Sequence, residues 1–193
     1  MVSLIMVSGG DIASVNQAKY LLKFNDWQEL SPVEGYPSYS FKHARMWWLP
    51  DGCLWEDDLD KRWETSTGEK VTDVIFPSRH SVASGNASLT LHYIGTMQVP
   101  FEETPKFGGR SGDCPPPNPR LASWWRELNR IASGFEDFDL SLETTHHGPW
   151  IETPSLFIEI GSTNLTWGHE GAAELLAGII HRGIGLDGGK GMG

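Results

Sequence analysis

Two adjacent histidines, His146 and His147, are the residues best suited to chemistry in this 193-residue chain. Near neutral pH an imidazole can take or give a proton, and its neutral form is a common zinc ligand. In an extended segment neighbouring side chains face opposite ways, so only one of the two is expected to enter a site. Gly148-Pro149 bends the chain directly afterwards and can expose backbone groups to a ligand. Glu159 lies inside the apolar run Leu156-Phe157-Ile158-Glu159-Ile160, where an ionised carboxylate needs a partner. It can orient a histidine, bind a metal or activate water. His80 and His92 are weaker candidates, because a lone histidine more often serves structure. Arg79 suits a phosphate clamp and a buried salt bridge about equally well. Ser8 and Ser162 carry hydroxyls, but neither sits in a Gly-x-Ser-x-Gly elbow. The chain has no Walker loop and no Gly-x-Gly-x-x-Gly fingerprint, which removes support for nucleotide hydrolysis and dehydrogenase chemistry.

The elements that must position these residues follow from apolar periodicity. Leu4 to Ser8, Val74 to Phe76, Asp139 to Glu143 and Leu156 to Ile160 read as strands, the second ending at Pro77. Ser88 to Tyr93 alternates, with Leu89, Leu91 and Tyr93 on one face and Ser88, Thr90 and His92 on the other. Asp11 or Ser14 caps a helix carrying Ala18, Leu21 and Leu22. Asn118-Pro119 opens another with Leu121, Trp124, Trp125, Leu128 and Ile131 inward. A last helix runs from about His169 to His181, and Gly183 stops it. Residues 25 to 72 resist this reading and suggest short strands and loops. The pattern predicts an α/β fold, a three-layer α/β/α sandwich with a largely parallel or mixed central sheet. Residues 1–182 are expected to form one domain, followed by a flexible Gly-rich tail over 183–193. Ser8-Gly9-Gly10, Ser78-Arg79-His80, Thr144 to Gly148 and Gly161-Ser162-Thr163 each follow an apolar run. In an open parallel sheet such loops share a crevice outside the carboxyl ends of the strands.

Composition narrows the class. With 39% hydrophobic residues and nine Trp the chain can bury a core, and no run is long enough to span a membrane. Two cysteines make no disulfide framework, and an intracellular, cytoplasmic location is expected. A net charge of -10 argues against a general nucleic-acid coat protein. Local basic surface is still offered by Lys106, Arg110, Arg120, Arg126 and Arg130, while Asp51 to Glu64 reads as a solvated acidic loop.

Several motifs occur in an order that resembles the archaeal- and plant-type D-aminoacyl-tRNA deacylases. They are Phe76-Pro77-Ser78-Arg79-His80, Ser88-Leu89-Thr90-Leu91-His92, Glu143-Thr144-Thr145-His146-His147-Gly148-Pro149 and Pro154-Ser155 through Gly161-Ser162. Thr144 and Thr96 depart from the alanine and asparagine expected there, and family members usually continue past this point. The resemblance implies an ester hydrolase that frees D-amino acids from D-aminoacyl-tRNA, a chiral proofreading activity associated with zinc. It assigns catalysis to His146, His147 and Glu159, and a metal to His146, His147 and His80. Substrate binding would fall to Ser78, Arg79, His80, Gly148, Pro149, Gly161 and Ser162. The runner-up is a tRNA-binding or regulatory homologue with weak or no turnover.

Overall fold

The computed structural model describes residues 1–192. Eight strands form one mixed sheet in the order β2-β3-β4-β1-β5-β8-β6-β7. They are β1 (Val2–Ser8), β2 (Gln28–Val33), β3 (Tyr36–Phe41), β4 (Ala44–Leu49), β5 (Val71–Arg79), β6 (Ser88–His92), β7 (Asp139–Leu142) and β8 (Ser155–Gly161). β4, β1, β5 and β8 run parallel, and β6 pairs antiparallel with β8. Every residue of β1 and β8 is buried, as strands covered on both faces require. Helices α1 (Ile12–Phe24), α3 (Leu121–Ile131) and α5 (Glu170–Gly183) supply the buried core on one face, among them Ala18, Leu21, Trp124, Leu128 and Leu176. The opposite face carries α2 (Leu59–Thr67) and the loops around Cys53, Leu54, Ile94 and Ile151. A short α4 (Asn164–Trp167) leads into α5. This is the expected three-layer sandwich.

Local chemistry explains where elements start. Asp11 is the N-cap of α1, and its carboxylate accepts hydrogen bonds from the Ala13 and Ser14 amides. Asn118 Oδ1 accepts from the Arg120 amide, and α3 starts at Leu121, slightly later than its Asn-Pro signal suggests.

The structure corrects four expectations. β5 does not end at Pro77 but continues to Arg79. The Val74 amide donates to the Pro154 carbonyl just ahead of β8 and the His80 amide to Ile160 within it, so position 77 turns its missing N–H to the other side. There the pairing with β1 stops at Ile75, and no ladder bond is lost. The acidic stretch from Asp51 to Glu64 is not simply a solvated loop. It contains α2, and fully buried Asp60 accepts from the Glu152 and Thr153 amides and the Thr153 hydroxyl. The basic stretch is largely neutralised: Arg110 pairs with Asp58, Arg120 with Asp73, and Arg130 with Glu127. Finally, the residues after Gly183 have more to bury than their glycines suggested. Ile184 and Leu186 are buried, and Arg120 Nη1 donates to the Gly183 and Met192 carbonyls. No helix is long and apolar enough to cross a membrane, among the described residues.

Candidate functional site: an imidazole–carboxylate cluster

Because β6 runs against β8, the site forms over one face of the sheet and not only beyond its carboxyl edge. Cross-strand register places Phe76 beside Phe157, and Phe157 beside His92. The three rings stack: Phe76 on Phe157 at 4.6 Å and His92 on Phe157 at 5.2 Å, with interplanar angles of 8° and 2°. Each such contact contributes about 0.5–1.5 kcal/mol beyond burial. The stack fixes the His92 plane. Two residues along, on the same face, Thr90 is opposite Glu159, and its hydroxyl donates to Glu159 Oε2 at 3.0 Å.

Glu159 is 1% exposed and surrounded by imidazoles. His80 Nδ1 lies 3.3 Å from its Oε2, and His92 Nε2 lies 3.5 Å from the same atom. Burial alone would raise the Glu159 pKa. The charge of His92 and the close approach of both imidazoles outweigh it and hold the carboxyl well below its usual range. In return the hydrogen bond with Glu159 raises the His80 pKa. Burial opposes charging of His92, but Glu159 prevails and raises that pKa too. His147 differs: burial pushes it down to about 4, so it is neutral at physiological pH.

His146 and His147 do not part company, contrary to the expectation for an extended segment. They lie beyond the end of β7, where the chain is irregular, and their ring centroids are 4.5 Å apart. Both approach His92 at 4.8 Å. One nitrogen from each of His92, His146 and His147 falls within 4.8 Å of the others. His92 thus takes the place in this group that the family resemblance gave to His80, which stands back against Glu159. The Nδ1 atoms of His92, His146 and His147 contact the carbonyls of Tyr93, Thr144 and Gly148 at 2.8, 2.7 and 2.7 Å. A carbonyl only accepts, so each Nδ1 donates, and in the neutral form of each ring Nε2 is the nitrogen with the lone pair. His92 Nε2 is buried without a hydrogen-bond partner and close to a carboxylate oxygen. That arrangement calls for positive charge, either a proton on the ring or a cation shared by the imidazoles.

Ser78, Arg79, His80, His146, His147 and Glu159 line one cleft of about 310 Å³, together with Leu54, Trp55, Ser81 and Phe107. A smaller cavity of about 90 Å³ adjoins it at Ser78 and Arg79, and Ser8, Asp11, Asp51 and Cys53 close its inner side. Ser78 Oγ and the Arg79 amide both donate to Asp11 Oδ2. Burial raises the Cys53 thiol to about 12, so it is no nucleophile. Other expected residues do not line the cleft. Gly161 packs against His80 and Ser88, while Ser162 is buried with an unpartnered hydroxyl. Gly148 and Pro149 are buried behind His147. A Cβ on Gly148 would lie 2.3 Å from Gly109 N and 2.5 Å from Leu54 O, both backbone atoms. Gly148→Ala is therefore expected to cost about 1–3 kcal/mol of stability, read as a lowered urea midpoint with unchanged slope. Thr90 was missed as a site residue and His92 was read as structural, although their common face of β6 was evident.

The fold and cluster together define an α/β protein with a histidine–carboxylate centre. A family model described as D-aminoacyl-tRNA deacylase matches residues 67–191, a span containing all five clustered residues. This chain belongs to that family. A D-aminoacyl-tRNA deacylase of Arabidopsis thaliana is 38% identical over all of the chain, which covers 62% of that relative. Another, of Methanococcoides burtonii, is 30% identical over 96% of the chain and 40% of the relative. The chain thus spans less than two thirds of the length of these relatives. A crystal structure described as a conserved protein of unknown function has a TM-score of 0.81 and 29% identity, with coverage of 91% of this chain and 60% of that one. Futalosine hydrolase of Helicobacter pylori shares the fold alone, with a TM-score of 0.55 and 10% identity over 92% of this chain and 96% of that one.

Proposed function

We propose that this chain hydrolyses the ester joining a D-amino acid to the terminal ribose of tRNA, releasing both. The observation that carries the reading is the convergence of His80, His92, His146, His147 and Glu159 within the matched family span. Ester hydrolysis needs an activated water, a counter-charge for the developing oxyanion and a proton for the leaving hydroxyl. In their neutral forms, with the proton on Nδ1, His146 and His147 present Nε2 for the first task. A ring with a pKa near 4 is a weak base but remains a ready ligand at neutral pH, so His147 suits metal binding better than proton abstraction. His80, held towards its charged form by Glu159, suits the stabilising charge and the proton for the ribose oxygen. Ser78 and Arg79 line the approach and are the candidates for holding the ester and terminal nucleoside. Gly148, Pro149, Gly161 and Ser162 act behind the cleft, as packing that fixes His147 and His80.

His92, His146 and His147 would hold a zinc ion: their donors are clustered, their tautomers are set, and His92 Nε2 lacks a partner. When bound, zinc supplies Lewis acidity at the ester and a lowered pKa for water. Chelation is expected to stop deacylation and lower the thermal midpoint, with restoration by added zinc. Full activity in chelator, with no metal in tag-free protein, would leave the histidines acting alone. A cytoplasmic location is part of this reading. The reading is tested by following release of labelled amino acid from D-aminoacyl-tRNA at neutral pH. Tight binding without release would instead favour a regulatory tRNA-binding role.

A further inference from the structure

Two large aromatic side chains at the cleft mouth take no part in the chemistry above. Trp55 is 58% exposed and Phe107 45% exposed, and both line the cleft beside the histidines. Exposed aromatic surface is common on proteins, but here its position is fixed. Trp55 closes a single 3₁₀ turn (Cys53–Trp55) anchored by buried Cys53, and its indole N–H donates to the Lys106 carbonyl at 3.3 Å. Gly108, with φ +72°, packs so closely that a Cβ there would lie 1.7 Å from Leu54 O. Gly148 packs on the same carbonyl and against Gly108 itself. Three backbone segments, bearing Trp55, Phe107 and His147, are therefore locked around Leu54. The aromatic pair stands at a set distance from the imidazoles.

Cations flank the pair, one of them over a face of the Phe107 ring. Lys106 Nζ lies 4.9 Å from the Phe107 ring centre, and Arg79 lies over Trp167 on the other side of the cleft. With a net charge of -10 and Arg110 paired to Asp58, phosphate attraction is weak here. Stacking on aromatic faces is the remaining strong attraction for a polyanion with unpaired bases. We infer that Trp55 and Phe107 form a stacking platform for the unpaired nucleobases at the 3′ end of an RNA. This deepens the reading proposed above and rests on it: the platform holds the single-stranded end so that its terminal ester reaches the histidines. Flat aromatic faces tolerate any base, so the platform selects for unpaired character and not for sequence.

The test is binding, which needs no turnover. The probes are an uncharged RNA minihelix ending in three unpaired nucleotides and the same minihelix cut blunt. The protein should bind the first at least tenfold more tightly. Trp55→Ala should remove about tenfold of that affinity, as loss of one stacked base implies, and leave the blunt probe unaffected. Trp55→Phe should restore most of it, and Phe107→Leu should mimic the alanine variant. Equal binding of both probes by the parent protein, or equal loss on both in the variants, would overturn the platform. On charged substrate, Trp55→Ala should raise KM with kcat nearly unchanged. Parent protein that deacylates D-aminoacyl-tRNA beside a variant with unaltered KM would sink the platform and leave the deacylase reading intact. Selective binding of the unpaired probe without deacylation would do the reverse.

Discussion

Replacing His146 and His147 together by alanine is expected to lower kcat for deacylation by about 10²–10⁴-fold, the range for losing a positioned proton-transfer group. The fold should survive. His146 is exposed, so its side chain contributes little to packing, and the sheet, helices and stacked Phe76–Phe157–His92 rings remain. His147 is buried and leaves a small void, so a modest drop in thermal midpoint is expected from that half of the change. The single His146→Ala variant separates the two effects: its midpoint should stay near that of the parent while its kcat falls. Loss of midpoint in proportion to activity would show that the pair serves structure.

The largest effect on stability belongs to Glu159. Truncation to alanine leaves two imidazoles, His80 and His92, without the carboxylate that favours their charged forms. Breaking such a buried pairing typically costs about 3–5 kcal/mol. Glu159→Gln keeps the shape and an acceptor for the Thr90 hydroxyl but removes the charge. The His80 and His92 pKa values, followed by NMR in metal-free protein, should then fall, because Glu159 raises both against burial. The linkage has a definite sign. The Glu159 pKa is depressed on folding, so its contribution is present above its ordinary value of 4.5 and is lost as pH falls. The histidine values are raised, so their contribution is complete below 6.5 and is lost as pH rises through the folded values. The stability difference between parent and Glu159→Gln should therefore be greatest between pH 4.5 and 6.5. A difference that is flat with pH would mean that Glu159 is not paired with these rings.

Much of this site can be read from residue order, and the remainder depends on contacts that order does not encode. The alternation in Ser88 to Tyr93 puts Thr90 and His92 on one face, and the run around Glu159 marks a buried carboxylate. Nothing local says that these two strands are neighbours, since strand order comes from packing of the whole sheet. That is why His92, read as structural, meets His146 and His147 while His80 turns to Glu159. The same limit hid the partners of the basic stretch. Arg120 and Asp73 are distant in the chain, and only the fold makes them an ion pair. α2 was missed because its apolar face is carried by little more than Leu59 and Trp63, and because its acidic residues read as solvent-facing. Asp60 is buried by hydrogen bonds from residues 152 and 153, far along the chain.

The most direct measurement is the rate at which the purified chain releases amino acid from one tRNA carrying, in separate reactions, the D- and the L-form of the same residue. The account predicts clearance of the D-aminoacyl-tRNA, a surviving L-aminoacyl-tRNA, and loss of the D-specific rate in the His146→Ala variant. Release no faster than spontaneous hydrolysis, or a rate unaffected by His146→Ala, would contradict it.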